Sequence, residues 1–132
     1  MPVLVDTNVI IDILSDDPNW ADWSEDILAE YSENGLAINS AVYAELCFGC
    51  ESTAEVDAIT SQMGLQFLEI PKDGLFCAAK AFAKYRNSGG TKNFVLPDFF
   101  IGGHAESSSI PLITRDATRY RTYFPDTNVI SP

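Results

Sequence analysis

Apolar positions along the chain repeat with two different periods. Val3-Leu4-Val5 is a run of β-formers that ends on Asp6, and Val9, Ile10, Ile13 and Leu14 follow at helical spacing. This predicts a short buried strand, a tight turn at Thr7-Asn8 and an amphipathic helix. Trp20, Trp23, Ile27, Leu28 and Tyr31 recur at threes and fours, predicting a second helix that Asn34-Gly35 closes. Leu36-Ala37-Ile38 reads as a buried strand. Asn39 or Ser40 then caps a helix through Leu46 that ends near Gly49, and Ser52 opens another, Glu55 to Met63. Leu65 to Ile70 is a strand stopped by Pro71, and Asp73 to Arg86 an Ala-rich helix before a Ser-Gly-Gly loop over 87–93. Pro97 suits the first turn of a helix that runs through Ile101, His104 and Ala105. Leu112-Ile113-Thr114 and Asn128-Val129-Ile130 are the last strands. Strands separated by helices, with no hairpin signals, predict an α/β fold with a parallel sheet covered on both faces.

Composition narrows the class. At 132 residues, 46% hydrophobic and 20% charged, the chain is expected to form one folded domain over 1–132 rather than a disordered segment. No apolar run reaches the ~18 residues of a membrane span, and the N-terminus lacks a secretion signal, so a cytoplasmic protein is expected. Three cysteines, Cys47, Cys50 and Cys77, do not suit a disulfide framework. The Cys47-x-x-Cys50 spacing has no second pair, and His104 is the only histidine, so a zinc site lacks ligands. All three are expected as buried or half-buried thiols.

The net charge of −11 is unevenly spread. Residues 1–71 hold 14 acids and no Lys or Arg, whereas residues 72–132 hold 8 bases and 5 acids. A polyanionic substrate must therefore approach the second half, or come in through a metal.

Four acids stand out. Asp6 and Asp116 each follow a strand, at the sheet edge where open α/β folds place ligands. Glu45 and Asp98 lie on helices, Glu45 on an apolar face and Asp98 where the helix dipole favours negative charge. For Asp6 the competing role is a helix N-cap. Were the four to converge, each pair at ~5 Å and an effective dielectric of ~20 would repel by roughly 3 kcal/mol. An all-oxygen set of this kind suits Mg²⁺ or Mn²⁺. Asp12 and Asp16, off the apolar face, are expected on a solvated face, and His104 in a structural role. The Trp20 and Trp23 stripe suits the core, with an interface as the alternative.

Val5-Asp6-Thr7-Asn8-Val9, Tyr43-Ala44-Glu45-Leu46, Leu96-Pro97-Asp98 and Leu112-Ile113-Thr114-Arg115-Asp116 together resemble the four motifs of the PIN-domain ribonucleases, in order. The closing stretch Arg119 to Pro125 is similar to VapC toxins of type II toxin–antitoxin systems. The resemblance implies a three-layer α/β/α domain with a parallel sheet of about five strands. It implies Mg²⁺- or Mn²⁺-dependent endoribonuclease activity, a cognate antitoxin and a homodimer. By motif, Asp6, Glu45, Asp98 and Asp116 are the catalytic acids, with Asp6, Asp98 and Asp116 on the metal and Asn8 and Thr114 supporting them. The chain departs where many members carry a further acid, having Ala117-Thr118, so a single ion is expected. Lys84, Arg86, Arg115, Arg119 and Arg121 are the candidate RNA contacts, the last three with balancing of local acids as the alternative, and the Trp20 helix is the candidate wall of the antitoxin groove. The competing function is a catalytically inactive PIN scaffold that binds protein or RNA. A phosphoacceptor domain would need an acid beside Asp6 and a lysine beyond Lys92, and a haloacid-dehalogenase-like phosphatase would need Asp-x-Asp where Asp6-Thr7-Asn8 stands.

Overall fold

The computed structural model describes residues 1–132. Five short strands carry the chain through one parallel sheet: β1 Val3–Val5, β2 Leu36–Asn39, β3 Leu65–Leu68, β4 Leu112–Ile113 and β5 Val129–Ile130. Their order is β3-β2-β1-β4-β5, with Leu4 paired to Ala37 on one side and to Leu112 on the other. Seven helices connect them: α1 Thr7–Leu14, α2 Ala21–Tyr31, α3 Ser40–Cys47, α4 Thr53–Gln62, α5 Lys72–Asn87, α6 Leu96–Ser107 and α7 Thr118–Tyr123. The first two crossovers run one way across the sheet and the last two run back. Right-handed connections therefore put α1–α4 on one face and α5–α7 on the other, the expected three-layer α/β/α arrangement. The reversal happens beside β1, so the ends of β1 and β4 border the crevice where such sheets bind ligands.

The core is built from strands buried on both faces. Val3, Leu4, Val5, Ala37, Ile38, Leu112 and Ile113 are almost wholly buried, which is why they read as continuous apolar runs. On the α5–α7 side, α5 and α6 approach closely through small residues. A Cβ on Gly103 would lie 2.5 Å from the Gly74 carbonyl oxygen and 2.8 Å from the Ala78 backbone nitrogen. Phe99 meets Phe82, Tyr85, Tyr123 and Phe124 in an aromatic cluster that ties α5 and α7 to α6.

Several local expectations change. Thr7 and Asn8 belong to α1 because the Asp6 side chain caps it. Trp20 stands just before α2, and β3 stops at Leu68. Helix α7 had no counterpart in the apolar pattern: its six residues are mostly polar and only Tyr120 is buried among them. Cys47 is exposed, not buried, while Cys50 and Cys77 are half-buried and all three are free. No helix is long and apolar enough to cross a membrane.

Gly103→Ala forces its new methyl group against backbone rather than against a side chain that can move. It should destabilise the domain by about 1–3 kcal/mol, read as a lower urea midpoint at unchanged slope.

Candidate metal centre

Asp6 lies one residue beyond β1 and does two jobs. Its Oδ1 accepts the Thr7 N–H at 2.7 Å, which caps α1. Its Oδ2 accepts the Thr114 hydroxyl at 2.8 Å, the Tyr120 hydroxyl at 2.9 Å and, more weakly, the Asn8 amide at 3.4 Å. Asn8 also accepts the Arg115 N–H at 3.1 Å, closing the end of β1 against the end of β4. Oδ1, with one donor, is the oxygen left with capacity for a further partner.

Two more carboxylates meet Asp6. The sequence folds Glu45 there because Asn39, at the end of β2, caps α3 by accepting the Ala41 and Val42 N–H groups. Glu45 then accepts the Thr7 hydroxyl at 2.7 Å. Asp98 comes from the first turn of α6, behind Pro97. One ligand oxygen from each of Asp6, Glu45 and Asp98 lies within 4.8 Å of the others. Asp116, expected among the metal ligands, is exposed and lies outside this group of three, which Glu45 joins.

The electrostatics follow from burial. Removal from water, reinforced by the Asp98 charge, pushes Asp6 up to about 7 against the pull of Thr114, Tyr120 and Thr7. Burial also raises Glu45 and Asp98; the Thr7 hydroxyl opposes it at Glu45, and Arg119 opposes it at Asp98. The Arg119 guanidinium stands 2.7 Å from Asp98 Oδ2. Burial and then the Asp6 charge hold Tyr120 well above its ordinary value, so it stays a donor. Three close carboxylates with a single cation partner form a site that suits a divalent cation with oxygen ligands.

Other predicted residues fall elsewhere. Asp12, expected on a solvated face, is buried and accepts Arg115 Nε at 2.7 Å and Nη2 at 3.1 Å. Arg115 also stacks over Trp20, 5.5 Å from its ring centroid. Asp12 and its partner are 103 residues apart, so local spacing could not reveal the pair. Among the candidate RNA contacts, Lys84, Arg86 and Arg121 are exposed, Arg86 bonding Asn93 and Arg121 bonding Ser131, whereas Arg115 and Arg119 are engaged with acids. His104 is buried, and burial lowers its pKa. Its Nδ1 meets the Asn39 amide at 3.2 Å. Since Asn39 Oδ1 is spent on the α3 cap, its amide donates and His104 Nδ1 accepts, a structural role. Sequence reasoning missed Thr7 and Tyr120 as site residues. The one available signal for Tyr120 was its i,i+4 spacing with Phe124, which is fully buried.

Asp6 has a consequence for stability. Its folded pKa lies above its ordinary 3.8, so protonated Asp6 favours the fold below that value and the advantage fades as pH rises through about 7. Three units at 1.36 kcal/mol each bound the effect at about 4 kcal/mol. In chelator, the melting temperature should fall between about pH 4 and about pH 7 and level off above, and Asp6→Asn should remove most of that fall.

Comparison with known proteins agrees with the fold. The chain matches a chain in the VapBC2 structure from Rickettsia felis bound to promoter DNA at 19% identity and TM-score 0.74, covering 99% of this chain and 98% of that one. VapBC-1 from nontypeable Haemophilus influenzae gives 22%, 0.72, and the same 99% and 98%. A toxin–antitoxin complex from Klebsiella pneumoniae gives 20%, 0.63, 97% and 95%. A comparison with curated proteins finds no match. The PIN domain profile matches residues 3–125, and with this span, nearly the whole chain, the protein belongs to the PIN domain family.

Proposed function

We propose that this PIN domain is an Mg²⁺- or Mn²⁺-dependent endoribonuclease and the toxin of a toxin–antitoxin pair, acting in the cytoplasm. The observation that carries the reading is the convergence of Asp6, Glu45 and Asp98 within 4.8 Å at the reversal point of the sheet. These three residues would hold the cation, and Asp116 would complete the set at the rim. A divalent cation bound there supplies Lewis acidity toward water and the scissile phosphate. The chain's own groups do the rest. Thr114, Tyr120 and Asn8 fix Asp6, Thr7 fixes Glu45, and the buried floor keeps bulk water from one side.

RNA approaches from the second half of the chain. A cavity of about 440 Å³ beside Asp98, lined by Tyr85, Asp116, Thr118, Arg119, Thr122 and Tyr123, opens on this side. Lys84, Arg86 and Arg121 are the exposed cations that meet flanking phosphates, while residues 1–71 offer none. The antitoxin takes the opposite side. An open groove of about 390 Å³ between α1, α3 and α4, lined by Ile11, Leu14, Leu46 and Ile59, leads to Glu45. It suits an apolar segment that ends in a cation. The groove is not walled by the Trp20 helix, which moves the expected docking surface. The toxin–antitoxin complex among the similar structures supports such a partner. Exposed Phe67, Leu75 and Phe76 around the α5 end support a homodimer through that face.

A panel of structured RNAs should be cut in Mn²⁺ or Mg²⁺ and spared in excess chelator. Asp98→Asn should lower the rate by more than about a hundredfold, since even residues behind a metal ligand cost 10–100-fold. Undiminished cutting in chelator would sink the metal dependence, and a domain that binds Mn²⁺ yet cuts no RNA would sink the nuclease.

The homodimer has its own test. Leu75→Asp should convert a dimer to a monomer by light scattering, leaving the circular dichroism spectrum unchanged. A wild-type protein that is monomeric at high concentration removes that part of the reading.

A further inference from the structure

We propose that Arg119 is a resident counter-ion that competes with the divalent cation for Asp98, so that the Arg119–Asp98 pair and the cation-filled site exclude one another. This rests on the reading of Asp6, Glu45 and Asp98 as a cation site, and adds what governs its filling. Of the three acids, only Asp98 has a salt-bridge partner, and its oxygen Oδ2 is taken at 2.7 Å by Arg119 Nη1. That oxygen cannot face the guanidinium and an incoming cation together without placing two positive charges side by side.

The position of Arg119 is set by its helix rather than by chance extension of a long side chain. Its neighbour Tyr120 is buried and bonded to Asp6 at 2.9 Å, and Ala117 and Phe124 are buried at the two ends of α7. Adjacent residues of one short helix thus reach two of the three carboxylates. Tyr120 steadies Asp6 without bringing charge, whereas Arg119 brings a full charge to Asp98.

The pair is also built to open. Both side chains keep 30% of their surface exposed, so water can take over their solvation when they part. Arg119 itself lines the open cavity between α5 and α7, whose walls carry Thr118, Thr122 and Tyr123, so the guanidinium can leave Asp98 without displacing core side chains. Asp12 and Arg115 make the contrast: that acid is 3% exposed and held by two nitrogens, an arrangement suited to permanence.

Competition and simple charge both predict tighter metal binding when Arg119 is lost, so the control must separate them. Arg121 lies on the same helix, is exposed, and bonds Ser131 rather than an acid of the site. Calorimetric titration of Mn²⁺ into the metal-free full chain compares wild type, Arg119→Gln and Arg121→Gln. Arg119→Gln should bind about five- to tenfold more tightly, and Arg121→Gln within about twofold of wild type. Equal shifts in both variants, or an unchanged or weaker Arg119→Gln, overturn the competition. Absence of binding by wild type and both variants overturns the cation-site reading and the inference with it. Should Arg119→Gln not fold, the guanidinium Nε–H signal of Arg119 in wild type must shift as Mg²⁺ is added; a signal unmoved through saturation overturns the proposal.

Discussion

The structure is organised around one buried carboxylate. Asp6 sits where β1 ends, with its backbone N–H bonded to the Ile113 carbonyl of β4 and its side chain bonded to Thr7, Thr114 and Tyr120. Those donors come from α1, the end of β4 and α7, so the carboxylate ties the start of the chain to a stretch more than a hundred residues away. Burial alone would favour the neutral acid, and the second carboxylate nearby pushes the same way. The donors hold the side chain in place but do not cancel that push. A divalent cation held there would relieve that push.

The uneven charge along the chain becomes an uneven charge across the layers. Helices α1–α4 and strands β1–β3 derive from residues that carry no Lys or Arg, and residues 72–132 carry every cation, six of the eight on α5 and α7. The acid cluster forms on the seam, with Asp6 and Glu45 from one part and Asp98 from the other. Two arginines from the cationic part reach acids at or near that seam. Arg115 secures α1 to the end of β4 through Asp12, and Arg119 meets Asp98. Since attraction between unlike layers helps the domain close while like charges crowd the cluster, folding and site formation draw on the same distribution in opposite ways.

Much of this was legible because the informative signals were local. The β1 run ending on Asp6, the Asn39 cap and Pro97 before Asp98 each mark an element boundary by chemistry within a few residues, and each fixes an acid of the site. Thr7 was quoted within a motif, yet its hydroxyl could only be assigned once Glu45 was seen 38 residues away in sequence and 2.7 Å away in space. Asp12 was misread for the same reason, its partner being Arg115. Helix α7 escaped because it has no capping side chain and little apolar surface; tertiary contacts through Tyr120 and Phe124 hold it. Asp116 shows the converse limit. Its motif was recognisable, but position after a strand does not fix a side chain that remains exposed.

The short helix α7 is then more than a connection from β4 to β5. A six-residue helix is too short to persist by its own hydrogen bonds, so its placement depends on Tyr120 and Phe124 packing beneath it. The Tyr120 hydroxyl ends on Asp6, which means that what anchors the helix is also what positions the central carboxylate. Loss of that hydroxyl would remove a donor from Asp6 and loosen the backbone that carries Arg119. The two acids Asp6 and Asp98 are therefore coupled through α7 as well as by their direct repulsion, and the geometry of the site is inseparable from the seating of this helix.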